Sequence, residues 1–285
     1  MTADPYGRFR GARPPSGGGR DAPWNTARSA STSPAESTGA RELRLHGLNA
    51  VQAVFARRPA AIRKLYLAES RIPTLQPLLK WCAANRVGYR VVGEEDLRKL
   101  AASSHHEGVV ADVLREEPMA LADWLAEVGG GDCCAIWLDG VGNPHNFGAI
   151  LRSAAHFGAQ AILLPPDSTL ALSGAAARVA EGGAEAVRLV RLPEAEEAAG
   201  QLRGAGFTLA ATLVEGGRDL FSAPLPERLV YVMGAEGEGM DRGFAAACDD
   251  RLSIPGTGAV ESLNVAAATA VLLAAWRRSV GVNHA

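Results

Sequence analysis

Three short stretches of the chain concentrate residues able to do chemistry. The first, "LDGVGNPHNFGAILRSAAHFGA", ends an apolar run at Asp139, turns through Gly140, Gly142 and Pro144, and opens a helix near Asn146. Asn146 and Arg152 stand six residues apart in that helix, somewhat under two helical turns. Arg152 falls among Ile150, Leu151, Ala154 and Ala155, an apolar setting for a group that keeps its proton. An arginine held there wants an anion, either a ligand phosphate or an acid of its own domain. The second stretch, "VMGAEGEGM", sets Gly234, Gly237 and Gly239 around Glu236 and Glu238. Glycines here let the backbone approach a ligand or simply turn tightly. The two carboxylates suit a neutral or cationic ligand better than a phosphate. The third, "IPGTGAVESLNV", leads through Gly256, Gly258, Glu261, Ser262 and Asn264 into an almost wholly apolar helix. Ser262 is placed to cap that helix or to serve a ligand. Asn264 is expected to be a buried amide, which something specific must satisfy.

Other candidates carry less. The G-x-G of the first turn lacks a third glycine, since that position is His145 and Pro144 interrupts, so a dinucleotide fingerprint is missing. "SHHEG" places His105, His106 and Glu107 side by side, poor metal ligands without distant partners. "AEGGAEAV" looks like another loop on the ligand side, with Arg178 nearby as a possible RNA contact. Four cysteines (Cys82, Cys133, Cys134, Cys248) show no C-x-x-C spacing and read as reduced, mostly buried thiols of a cytoplasmic protein. No G-x-S-x-G motif or patterned cysteine offers a nucleophile.

The elements that position these loops follow from periodicity. Residues 1–40 are rich in Gly, Pro, Ser and Arg and read as a disordered arm. Residues 41–115 alternate helical and strand patterns: "HGLNAVQAVFARRP" as helix, "IRKLYLAE" as strand, "LQPLLKWCAANR" as helix, "GYRVV" as strand, "EEDLRKLAAS" as helix, "GVVADVL" as strand. Glycines mark 116–132 as a linker. From Cys133 to the end, "AIWLDG", "AILLPP", "AVRLVR", "FTLAATL", "LVYVMG" and "RLSIP" alternate with helical stretches, which predicts a mostly parallel sheet covered on both faces. Ligands in such sheets sit beyond the carboxyl ends of the strands, where all three loops fall. The C-terminal helix is too short for a membrane span and reads as buried in protein.

Charge divides along the same lines. Residues 1–40 carry +2, residues 41–115 carry +6 and residues 116–285 carry −10, for a net charge of −2. A basic module beside an acidic one points to a polyanion meeting the first, unless the basic face is only solvated surface.

Taken together in order, "NFGAILR", "VMGAEGEG" and "IPGTGAVESLNV" resemble the three motifs of the SpoU (TrmH-like) family of SPOUT methyltransferases, and "HGLNAVQAVF" with "HHEGVV" resembles that family's N-terminal substrate-binding domain. The long arm, "GNPHN" and "EGGAE" look nearest to a poorly characterised tRNA/rRNA methyltransferase subgroup. The resemblance implies an α/β catalytic domain whose parallel sheet ends in a C-terminal trefoil knot, preceded by a small L30/L7Ae-like α/β RNA-binding domain. It implies S-adenosylmethionine as cofactor, RNA (rRNA or tRNA) as partner, and a homodimer through the knot and C-terminal helix, with no metal and no membrane. Carried over, Arg152, Asn146, Glu236, Ser262 and Asn264 become the expected catalytic set, and Thr212, Gly234, Gly239, Ile254 and Leu263 the cofactor contacts. The implied reaction is methylation of a ribose 2′-hydroxyl. Its alternative is a catalytically inactive RNA-binding scaffold that keeps the fold. Two departures stand out: Asn143 where relatives often have Asp, and "HEG" where "HQG" is common.

Overall fold

The structure, a computed structural model, describes residues 42–234 and 240–283. The expected arm at residues 1–40 lies outside the described residues.

The N-terminal module runs β1 (Glu42–His46), α1 (Leu48–Arg57), β2 (Ile62–Leu67), α2 (Gln76–Ala84), β3 (Gly88–Val91), α3 (Glu94–Ala101) and β4 (Val109–Leu114). Its four strands are ordered β1-β4-β2-β3, with β4 antiparallel to both neighbours and β2 parallel to β3. Strand β1 went unread in the sequence because "ELRLH" is short and half charged. Alternation nonetheless buries Leu43 and Leu45 while Glu42 and Arg44 face outward. Helix α3 places Glu94, Glu95 and Asp96 in its first turn and Arg98 and Lys99 in its last, matching the helix dipole at both ends.

The second sheet is built from β5 (Met119–Ala120), α4 (Leu121–Glu127), β6 (Cys133–Leu138), α5 (Pro144–Phe157), β7 (Ala161–Leu164), α6 (Gly174–Ala180), β8 (Arg188–Arg191), α7 (Ala195–Gly204), β9 (Thr208–Leu213), β10 (Arg218–Asp219), β11 (Arg228–Met233), α8 (Arg242–Ala247), β12 (Asp250–Ser253) and α9 (Val265–Asn283). Eight strands lie in the order β10-β12-β9-β11-β6-β7-β8-β5, every pair parallel. All six strands expected from the apolar runs are present.

The residues of β6 alternate between two cores. Cys134, Ile136 and Leu138 face a core shared with Phe147 and Leu151 of α5 and with Leu272, Leu273 and Trp276 of α9. Cys133, Ala135 and Trp137 face a core shared with α4, α7 and α8. Helix α9 is tied to the sheet by two donors: the Tyr231 hydroxyl to Leu272 O at 2.9 Å, and Trp276 Nε1 to Glu227 O at 3.3 Å. Among the described residues no helix is long and apolar enough to cross a membrane.

The segment expected to be a linker, 116–132, differs. Strand β5 extends the second sheet beside β8, and α4 buries Leu121 and Trp124, the latter 5.6 Å from the Phe207 ring. Leu121, Trp124 and Leu125 have helical spacing, which the run Gly129–Gly131 masks when composition alone is read. Those glycines make the turn into β6, where Gly129 O and Gly131 O accept from Arg228 Nη1.

Candidate active site

The carboxyl ends of β6, β9, β11 and β12 adjoin one another in the sheet, and each of the three chemical loops leaves from one of them. At the end of β6, Asp139 donates its backbone N–H to Met233 O at 2.8 Å, joining the first loop to the root of the second. Its carboxyl is half-buried; burial first, then the nearby charges of Asp167 and Asp241, raise its pKa above the usual carboxylate value.

Helix α5 begins at Pro144, two residues earlier than the sequence suggests. Pro144 sits in the first turn, where its missing N–H costs nothing, and the Asn143 side chain caps the helix by accepting from His145 N at 2.8 Å. That explains why Asn serves where relatives often have Asp: both are good caps. Gly148 has a packing reason, since a Cβ there would lie 2.5 Å from Ala176 O on α6.

Arg152 is not in an apolar setting. Its sequence neighbours Ile150, Leu151 and Ala154 turn inward, while its own side chain is 63% exposed, with Nη1 4.0 Å from Glu181 Oε1. The 3.6-residue period, not adjacency, decides which face a residue shares.

Asn264 is likewise exposed, not buried, yet its amide is fully engaged. Oδ1 accepts from Ala266 N at 2.9 Å and from Ala267 N at 3.4 Å, while Nδ2 donates to Asn146 Oδ1 at 3.1 Å. Asn264 is therefore the cap of α9, a role the sequence had suggested for Ser262, which stands exposed in the preceding loop. One side chain thus starts the helix and bonds the first loop to the third.

The expected cofactor positions divide. Thr212 is next to last in β9 and pairs with Met233, its hydroxyl donating to Val232 O at 2.9 Å. Gly234 follows β11 directly, and Ile254 follows β12 and packs on the core. Leu263 is 48% exposed, as are Val260 at 71% and Val214 at 58%, all in loops that follow β9 or β12. Each is a bare aliphatic group in a loop that leaves a carboxyl strand end. Glu236 and Gly239 lie outside the described residues.

The cysteines are free and buried. Burial pushes the Cys133 thiol up to about 12 and raises that of Cys134 well above its usual value, so neither is a nucleophile. Both start β6, at the amino end of the strand and away from the loops. Among the described residues no cluster of metal-ligating side chains occurs. His105, His106 and Glu107 do different work: Gly108 N donates to His106 Nδ1, and Glu107 accepts from Leu48 N at 2.9 Å. Arg178, considered as an RNA contact, is instead held by Glu107 at 2.7 Å and by Glu181 at 3.3 Å. The sequence did not reveal this cluster, because its members lie far apart in the chain.

Fold and loops together define an α/β domain whose three chemical loops gather at neighbouring strand ends, preceded by a separate basic module. Residues 134–274 match the SpoU rRNA Methylase family, and residues 44–119 match the domain described as RNA 2′-O ribose methyltransferase substrate binding. The chain belongs to the SpoU methylase family. It is 39% identical over 239 residues to the uncharacterized tRNA/rRNA methyltransferase YfiF of Escherichia coli O157:H7, covering 84% of this chain and 69% of that one. It is 35% identical over 235 residues to the 23S rRNA (guanosine-2′-O-)-methyltransferase RlmB of Pseudomonas syringae pv. tomato, covering 81% and 93%. In fold it is similar to the SpoU methyltransferase AviRb of Streptomyces viridochromogenes, crystallised with AdoMet, with a TM-score of 0.71, 23% identity and coverage of 88% and 95%.

Proposed function

We propose that this chain transfers the methyl group of S-adenosylmethionine to a ribose 2′-hydroxyl in structured RNA, with 23S rRNA favoured over tRNA as the target. The observation that carries the reading is the Asn264–Asn146 hydrogen bond. It draws the first and third motifs together, while Arg152, further along the same helix α5, is exposed. The family supplies the reaction class, and RlmB-type relatives act on 23S rRNA by name.

The residues present fit the cofactor. The loops at the ends of β9, β11 and β12 offer backbone groups through Thr212, Gly234 and Ile254 for polar edges of a nucleoside, and Leu263 offers it an apolar contact. When bound, S-adenosylmethionine supplies a methyl group already activated by its sulfonium charge. What remains for the protein is to bring the 2′-hydroxyl into line and to favour its loss of a proton.

Arg152 is exposed and cationic, so it takes a substrate phosphate next to the reacting ribose and stabilises negative charge growing on the 2′-oxygen. It orients and stabilises rather than removing the proton itself, since a guanidinium offers donors and no acceptor, and the proton leaves to solvent water. Asn146, fixed by Asn264, defines the floor on which the ribose rests. Ser262 and Glu236 complete the expected set, Ser262 from the rim of the third loop and Glu236 as a carboxylate suited to a cationic cofactor. Gly239 belongs to the same second loop.

We further propose that the segment after β12 threads a trefoil knot, and that two chains pair through the knot and α9 as a homodimer. The bare Val260 and Leu263 support a covered surface there. Four free, buried cysteines suit a cytoplasmic setting.

The test is direct. The purified chain is incubated with tritiated S-adenosylmethionine and rRNA or tRNA from a strain lacking the gene, and 2′-O-methyl sites are mapped in both strains. A ribose methylated only where the gene is present is the expected result, with Leu263→Arg abolishing cofactor binding by calorimetry. RNA binding without cofactor binding or methyl transfer would favour the inactive scaffold.

A further inference from the structure

Two glutamates share an unusual backbone. Glu107, in the loop before β4, has φ +55°, and Glu181, at the end of α6, has φ +52°. Only four described residues other than glycine adopt positive φ, a conformation strained for a residue with a Cβ. Both glutamates meet one partner. Arg178 places Nη2 2.7 Å from Glu107 Oε1 and Nη1 3.3 Å from Glu181 Oε1, and its Nε donates to His105 O at 3.1 Å.

The chain of contacts continues at both ends. On the module side, Glu107 Oε2 accepts from Leu48 N at the start of α1. On the catalytic side, Glu181 Oε1 is the acidic group within 4.0 Å of Arg152 among the described residues. The other oxygen of Glu181 accepts from Asn49 on α1. The turn after α6 also lies tight on α5: a Cβ at Gly183 would meet Leu151 O at 2.7 Å and the Cα of Arg152 at 3.1 Å. Glu181 is thereby gripped by the substrate-binding module while it faces Arg152.

We infer that Glu181 is a positioning residue for Arg152, and that Arg178 and Glu107 set Glu181, so that the grip of the substrate-binding module on Glu181 is passed to the guanidinium that meets the RNA. The physics is a shared carboxylate. Arg178 takes the close, charge-assisted contact with Glu181. Arg152 is left at the long edge of the same charge, aimed but free to exchange that carboxylate for a substrate phosphate. An unopposed Glu181 would hold Arg152 too tightly. An absent one would let a side chain with many rotamers wander.

The inference rests on the methyl-transfer reading, and two readouts on the full chain keep the two separable. The first is kinetic, with RNA from the strain lacking the gene. Glu181→Gln lowers kcat tenfold to a hundredfold, as a misplaced reacting group does, with KM for RNA within about threefold. Glu107→Gln lowers kcat severalfold, and Glu181→Asp restores part of the loss. Arg58→Lys is the control. It weakens the bidentate pair to Glu185, at 2.6 and 2.7 Å, which joins the same two parts of the chain without touching Arg152. It lowers Tm and leaves kcat unchanged.

The second readout needs neither RNA nor cofactor. In protein labelled with 15N-arginine, the Arg152 Nε–Hε signal, assigned by its loss in Arg152→Lys, shifts in Glu181→Gln and by less in Glu107→Gln. A kcat within twofold of wild type in Glu181→Gln would overturn the inference. So would an unmoved Arg152 signal, or a kcat loss in Arg58→Lys equal to that in Glu181→Gln. If wild type methylates no RNA, the functional reading fails, and the Arg152 signal still decides the positioning claim.

Discussion

At the scale of single residues, Asn264 joins stability to chemistry, and the two can be pulled apart. Its Oδ1 caps α9 while its Nδ2 bonds Asn146. Asn264→Asp keeps the acceptor and improves the cap by adding charge at a helix N-terminus, but it cannot donate to Asn146. The expected outcome is an unchanged or raised Tm with methyl transfer reduced at least tenfold. Asn264→Ala loses both, with about 1 kcal/mol of stability gone, and thermal unfolding beside a kcat measurement distinguishes the pair. Asp139 yields a second expectation. Its pKa is raised in the folded state, so folding holds its proton longer than the unfolded chain does. Its penalty is then absent below the unfolded carboxylate value near pH 4, grows as pH rises through the folded value, and is fully present above it. Asp139→Asn should raise Tm at pH 8 and lose that gain on acidification to about pH 4. The residue types of the site were legible from three motifs; their exposure was not. Arg152 looked buried because its sequence neighbours are apolar, and Asn264 looked buried because a long apolar helix follows it.

Elements were easier to read than residues wherever the period was long and clean. Six apolar runs became six parallel strands in the second sheet because buried strands in such sheets need continuous apolar stretches. Short or charged elements escaped: β1 is five residues with charges on its outer face, and α4 preceded three glycines that suggested a linker. The structure makes α4 part of the catalytic core, and this can be measured. Trp124→Ala removes a ring that is 2% exposed and packed on Phe207, so it should cost about 3–5 kcal/mol. The urea midpoint of the sheet domain, followed by its tryptophan fluorescence, should fall accordingly. A segment that only linked two domains would show almost no change. Spatial order could not be read in advance either: nothing local in the sequence says that β11 lies between β9 and β6.

Across the whole molecule, charge is divided between tasks. The module at 41–115 carries +6 and the remainder to residue 285 carries −10, so RNA should be captured by one part and modified by the other. A cleft of about 400 Å³ on the module is lined by Arg44, Tyr66, Arg90, Asp96 and Lys99 among others; Arg44 is held by Asp112, which leaves Arg90 and Lys99 as the cations near an aromatic face of the kind that holds single-stranded RNA. RNA affinity should therefore fall steeply with salt, and Arg90→Ala or Lys99→Ala should each lower the log–log slope by about one. Fluorescence anisotropy across a salt series measures it. Catalytic activity at saturating RNA should be nearly untouched by either.

The strand order also bears on how the protein is made. The methyl-transfer site proposed above draws on β12, the loop to Asn264 and α9, which leave the ribosome after the module at 41–115. The third loop and its cap at Asn264 are therefore in place only after the rest of the sheet has been synthesised, so the site is completed late in the making of the chain.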